Sequence, residues 1–388
     1  MKKMFLFMLL TTATIFATAQ QFNSSAKVNF KNGASSTGWM DFDFYNDNQI
    51  FLKASINGHE AAILLVNSIG ASRIDTDFAT SIGVAPAVGG STPSATVVIQ
   101  FGNLTLGGVN ANISQSKSTG HARNFILSDD LFNNLIADID FAHHRIAFYD
   151  PATFRAPKGA VALPFIQGTD SRSVPVSIDD AAPEQFELFL GDPAPVTIYQ
   201  AFYQAHGLLQ NRPTSVRLGG GAGKHPREAT ATITTVQFAG VGFAQVPGVF
   251  PTDSVRGTTA TDVSGNIGTE LLARFRVILD YSHNLLYAIP NPKAANAAFT
   301  KDRSGLFLIE KDGAYTVEFV APGSPAEKGG FKAGETVTSI NQKPVKDLQG
   351  TAWQRAALGS LKETPAGVTY SFTMADGSVR QLVTADFF

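Results

Sequence analysis

Asp75, Asp138, Asp140, Asp192 and Asp280 are the carboxylates placed where acid–base work is conceivable, each on or beside a short apolar run. Two carboxylates brought within about 3 Å cannot both ionise, so they share a proton. One of such a pair then activates a water while the other protonates a carbonyl. For Asp75, Asp138, Asp140 and Asp280, at the ends of strand-like runs, capping a turn is the commoner employment. Asp192 sits in the turn Gly191-Asp192-Pro193 of "LFLGDPA", whereas a matching turn, Ser68-Ile69-Gly70 in "LLVNSIGASRID", holds no carboxylate. Other chemistry finds little support. In "LGGGAGKH", Leu218 stands where a phosphate-binding loop needs its first Gly and His225 replaces the Ser or Thr. His143-His144 has no second ligand cluster beside it, and no Gly-x-Ser-x-Gly elbow occurs.

The elements that must position these residues are mostly strands. The chain has 388 residues, a net charge of −2 and no cysteine. That length suits roughly two or three domains, and scattered charge near zero argues against a nucleic-acid partner. The start, "MKKMFLFMLLTTATIFATAQQ", joins lysines, an apolar run and an Ala17-Thr18-Ala19 site. Residues 1–19 therefore read as a signal peptide, which predicts a secreted or periplasmic protein. No later run approaches the length of a membrane span. Alternating segments such as "ATVVIQFGNLTLGGVNANI" and "ATITTVQFAGVGFAQVPGVF" predict half-buried strands joined by hairpins. Short amphipathic pieces, "TDFATSIG", "DLFNNLI", "IYQAFYQAHGLL" and "TELLARF", are the predicted helices.

A duplication underlies the pattern. The first copy closes with "FILSDDLFNNLIADIDFAHHRIAFYD" and the second with "NIGTELLARFRVILDYSHNLLYAIP". Asp140 and Asp280 hold matching places in these units. Two β-rich lobes are predicted, over 41–150 and 160–290. After "IPNPKAANAAFTKDRS" the texture changes, and residues 302–388 read as a further α+β domain.

The duplicated lobes resemble the retropepsin-like aspartic proteases of the bacterial group that carries both lobes on one chain, most strongly in "SGNIGTELLARFRVILDY". The resemblance implies a mainly β, bilobal body in which each lobe lends one aspartate, followed by Thr or Ser and then Gly. Gly lets the two turns approach, and the hydroxyl ties them together. On this template the acid positions fall on Ser68 and Gly191, followed by Ile69-Gly70 and Asp192-Pro193. Sliding by one residue brings Asn67 and Asp192 there instead, which still supplies only one carboxylate. The resemblance thus implies a catalytically degenerate protein, with an active aspartic endopeptidase as the alternative. No cofactor or metal is implied.

The segment 302–388 resembles a PDZ domain of the bacterial protease-associated kind, through "GLFL" and "APGSPAEKGGFKAGETVTSINQKPV". Such a domain presents turn N–H groups to the C-terminal carboxylate of a peptide or protein, and its following strand pairs with that peptide. Gly305, Leu306, Phe307 and Leu308 are the matching turn and strand. Phe307 replaces a second Gly common in the family, and Lys301 would add positive charge. The helix around Trp353, Ala356, Ala357 and Leu358 would wall the pocket.

Overall fold

The computed structural model describes residues 26–45, 49–67, 70–86, 92–115, 122–168, 172–219, 226–252, 262–311, 313–348 and 364–388. Residues 1–19, Ser68 and the Trp353–Leu358 segment lie outside these. The described chain is mainly β: two barrel-like lobes and a smaller C-terminal domain. In the first lobe an eight-stranded sheet includes Gln49–Ile56, His59–Leu65, Ser72–Asp75, Leu104–Ser114 and Phe125–Leu127. Lys27–Phe30, ahead of the expected boundary at 41, joins it by pairing with Leu104–Ser114. An eight-stranded sheet in the second lobe includes Glu184–Leu188, Val196–Ile198, Arg227–Phe238, Val241–Phe250 and Gly265–Ile267.

The two lobes repeat one topology. His59–Leu65 runs parallel to Phe125–Leu127, as Glu184–Leu188 runs parallel to Gly265–Ile267. Ser72–Asp75 runs parallel to Leu104–Ser114, as Val196–Ile198 does to Val241–Phe250. A third sheet of six strands joins the halves. At its centre Ile136–Asp140 pairs antiparallel with Phe275–Asp280, Ala137 facing Leu279 and Ile139 facing Val277. Residues 140 positions apart thus exchange places across the pairing, the register a two-fold duplication requires.

Apolar alternation decides what these sheets enclose. One core runs through both lobes and the joining sheet, with Phe101, Phe125, Phe132, Phe148, Phe186 and Phe275 fully buried. The C-terminal domain has its own core, around Tyr315, Val317, Phe331, Val337 and Phe372. With no cysteine to cross-link them, burial of these side chains, at about 25 cal/mol per Å² of apolar surface, is the main stabilising term.

The duplicated carboxylates end strands. Asp140 lies 2.8 Å from His143 Nδ1 and accepts from Arg145 Nε at 2.9 Å; Asp280 lies 2.8 Å from His283 Nδ1 and accepts from the His283 N–H at 3.0 Å. Burial alone would raise the Asp140 carboxyl, but the hydrogen bonds from His143 and Arg145 carry it below its ordinary value. A carboxyl depressed by folding adds stability above its unfolded value, and loses it as pH falls through the folded value. Asp140→Asn should therefore be less stable than wild type at about pH 7, with the deficit shrinking as pH falls below the ordinary carboxylate range. Denaturant midpoints at neutral and low pH check this. A deficit unchanged at low pH would assign the loss to packing instead of charge.

Candidate functional site

Each lobe delivers a turn to the interlobe seam from the end of a central strand. The Val66 N–H donates to the Leu127 carbonyl at 3.1 Å, and the Phe189 N–H to the Ile267 carbonyl at 3.0 Å. Leu127 and Ile267 are counterparts in the closing units, so Val66 and Phe189 are counterparts too. Counting onward, Asn67 corresponds to Leu190 and Ser68 to Gly191. Asn67 and Asp192, the shifted pair, are not counterparts in this register.

Asn67 is fully buried and reaches across the seam. Its Nδ2 donates to the Leu188 carbonyl at 2.5 Å and to the Tyr281 hydroxyl at 3.2 Å. Its Oδ1 accepts from the Leu190 N–H at 2.8 Å. One carboxamide thus satisfies a donor and an acceptor of the opposite turn, since it carries both functions. The cross-lobe tie expected from a Thr or Ser hydroxyl is made by an amide, one residue ahead of Ser68. Burial pushes the Tyr281 phenol up to about 12, so it stays neutral. The Arg172 guanidinium stacks 3.9 Å over its ring.

Around the tie the seam is apolar. Phe51, Leu64 and Val66 form a separate buried cluster, with Tyr45, Ala62, Ile126 and Phe189 packed against it. Gly191 stands close by: a Cβ there would meet the Phe189 ring at 3.0 Å and Val66 Cγ1 at 3.3 Å. A side chain at Gly191 would press on both, and the Phe189 ring and Val66 would have to give by a few tenths of an ångström.

Asp192 is held within its own lobe. Its Oδ1 accepts from the Ala194 N–H at 2.9 Å, and its Oδ2 from Thr197 Oγ1 at 2.7 Å and Asn266 Nδ2 at 2.8 Å. Its carbonyl accepts from the Thr269 N–H at 2.8 Å. The Tyr199 hydroxyl shares its one proton between Glu187 Oε1 at 2.8 Å and Asn266 Oδ1 at 3.2 Å. This places Asp192 at the head of a structural network, closing a turn that Pro193 cannot close with an N–H. Sequence reasoning missed Thr197, Asn266 and Tyr199, which carry no local motif. Asp75, as expected, caps a helix: its Oδ1 accepts from the Asp77 and Phe78 N–H groups at 3.1 and 3.0 Å.

In the C-terminal domain, Leu306–Lys311 is an edge strand, paired among the described residues only with Ala314–Val320. The turn before it is tightly built. Gly305 has φ +66°, and a Cβ there would overlap Ser324, so only glycine fits. Ser324 in turn caps the helix Pro325–Lys328, its Oγ accepting from the Glu327 N–H at 3.2 Å. Asp302 Oδ1 accepts from the Ser304 and Gly305 N–H groups at 2.9 and 3.1 Å and from Ser304 Oγ at 2.8 Å. Ser304 Oγ accepts from the Leu306 N–H at 3.1 Å.

Lys301, expected to offer charge to a ligand, is turned towards the Phe388 carbonyl oxygen and lies 3.8 Å from Asp386. Burial lowers its ammonium from the ordinary value, with Asp386 opposing. Arg303 Nε donates to Asp386 at 2.8 Å. Both cations therefore serve contacts to the C-terminal residues. Thr232 Oγ1, from the second lobe, donates to the Phe388 oxygen at 3.3 Å, and Arg227 lies 5.1 Å over the Phe319 ring.

A PDZ-domain family model matches residues 316–363, beginning after the Gly305 turn and its strand. Over 67 residues the chain is 50% identical to the "Probable periplasmic serine endoprotease DegP-like" of Rhizobium meliloti (strain 1021). That match takes in 16% of this chain and only 13% of the relative's length. Among solved structures, the aspartic proteinase from Irpex lacteus aligns with 69% of this chain and 97% of its own, at 9% identity and a TM-score of 0.38.

Proposed function

We propose that this is an exported, protease-like protein of the bacterial envelope that holds extended polypeptide and does not cut it. Its two lobes are read as a degenerate aspartic-protease body, and the PDZ edge strand as the peptide-binding element. The observation carrying the catalytic half is the seam itself. On the template of the resemblance the acid positions fall on Ser68 and Gly191, and neither residue carries a carboxylate. Two residues before these positions, Val66 and Phe189 pack into one apolar cluster with Phe51 and Leu64. This argues against a shared-proton pair, as do the bonds of Asp192 to Thr197 and Asn266. The signal-peptide pattern at the N-terminus and the likeness to a periplasmic endoprotease support export. The edge strand Leu306–Lys311, paired on one side only among the described residues, supports peptide binding, since main-chain pairing gives affinity without demanding much of the sequence.

Purified protein is expected to leave unfolded protein substrates intact from about pH 3 to pH 7, where paired carboxylates work. Cleavage inhibited by pepstatin and lost in Asp192→Asn would overturn the silent-seam reading and make Asp192 catalytic. For the binding half, hydrogen exchange at residues 306–311 should slow when extended apolar peptides are added.

A further inference from the structure

The turn that would grip a peptide carboxylate already holds one. Ser304 and Gly305 give their N–H groups to Asp302 Oδ1, and the Leu306 N–H is taken by Ser304 Oγ, which itself donates to Asp302. Three successive donors at the head of the edge strand are thus satisfied from within, two of them by a carboxylate. A peptide ending at this turn would have to displace Asp302 and would set its own negative charge beside it, an arrangement that repels a partner. The nearby cations do not offset this, because Lys301 and Arg303 are engaged with Asp386 and the Phe388 oxygen.

Resting on the peptide-binding reading above, we infer that this PDZ edge selects internal extended segments of a polypeptide and discriminates against free C-termini. Leu306–Lys311 pairs on one side only among the described residues, and Ile309 is exposed along it. A segment that continues past the turn brings main-chain donors and acceptors to that edge without adding a terminal charge. The occupant is therefore a loop or unfolded stretch with apolar residues at alternate positions, not a tail.

The test uses the full chain and a pool of octapeptides alternating Val, Leu or Phe with Ser or Thr. Each peptide is offered as free acid, as amide, and with an amidated Gly-Ser-Gly-Ser extension. Exchange protection of residues 306–311 locates the binding, and calorimetric titration measures it. The amide and the extended form should bind alike, and the free acid about tenfold more weakly, the order of one unfavourable charge contact. Asp302→Asn keeps an acceptor for the Ser304 and Gly305 N–H groups but removes the charge, so the acid should recover to within about twofold of the amide. Tighter binding of the acid than the amide by wild type overturns the inference while leaving peptide binding intact, and so does a variant in which the acid gains nothing. The wild-type comparison needs no variant to fold. No protection of 306–311 by any format overturns the peptide-binding reading, and this inference with it.

Discussion

Arg276→Met should lower unfolding free energy by about 3–5 kcal/mol, the range for stranding one member of a buried ion pair. Arg276 grips Asp138 with two hydrogen bonds, Nε to Oδ1 at 2.8 Å and Nη2 to Oδ2 at 2.6 Å. The residues lie on the two central strands of the joining sheet, one from each lobe, at diagonal positions. The Asp138 side chain is 1% exposed and that of Arg276 30%, so water can compensate the arginine but not the aspartate. Loss of Arg276 should therefore cost more than Asp138→Asn. Burial raises the Asp138 carboxyl, with the Arg276 fork opposing, and the Asp138 hydrogen bond raises Arg276. With the fork in place the native Asp138 is already raised above its unfolded value, and without it the native state takes up its proton at higher pH still. The deficit of Arg276→Met should then shrink as pH falls through that raised value. The double variant Asp138→Leu/Arg276→Met should lie much closer to wild type, because neither charge is left stranded. Trp39 lies 5.0 Å beneath Arg276, so its fluorescence in a denaturant titration reports on this sheet. A single-variant cost under about 0.5 kcal/mol would class the pair with ordinary surface contacts.

Much of this architecture was legible because it is written locally and twice. The closing units keep the same spacing of helix, strand and aspartate, so Asp140 and Asp280 identified themselves as counterparts without coordinates. Alternation marked the hairpins for the same reason: a period of two survives wherever one face is buried. The pairing of Ile136–Asp140 with Phe275–Asp280 has no such signature, since both strands are apolar and the register depends on the whole fold. Nor did the sequence reading place Lys27–Phe30, a four-residue strand whose partner lies more than seventy positions away.

At the candidate sites the missed residues differ in kind. Thr197 and Asn266 meet Asp192 only through tertiary structure, and nothing near them in sequence foretells it. Asp302 could have been found. In "DRSG" an aspartate precedes Ser304 by two positions and Gly305 by three, the spacing at which a carboxylate folds back on following N–H groups. Attention to Gly305 as a ligand turn hid the fact that the turn supplies its own acceptor.

The second large effect belongs to Asn67. Asn67→Leu nearly preserves shape but removes both halves of the cross-lobe tie. The Leu190 N–H loses its acceptor, the Leu188 carbonyl loses a donor, and the Tyr281 hydroxyl loses its contact with Nδ2. Leu188, Leu190 and Tyr281 are all buried, so water cannot replace the lost partners without opening the seam. A stranded buried group costs about 1–3 kcal/mol, which puts this variant about 3–4 kcal/mol below wild type. Asn67→Asp should be no remedy: a carboxylate still accepts from Leu190, but turns an oxygen towards the Leu188 carbonyl where a donor stood. Asn67→Ala, which also leaves a cavity, should be at least as costly as Asn67→Leu. Tyr281 sharpens the expectation. Burial keeps its phenol neutral at any ordinary pH, so it cannot gain a charge to offset the missing amide. If the amide joins the lobes and does not merely fill its own, exchange protection should fall together at 62–67 and 186–191, on both sides of the seam. Loss confined to residues 62–67, or a cost below about 1 kcal/mol, would reduce Asn67 to a local packing residue. Paired loss would instead explain why a polar side chain stands at the centre of an apolar seam: its amide holds the two lobes in register across it.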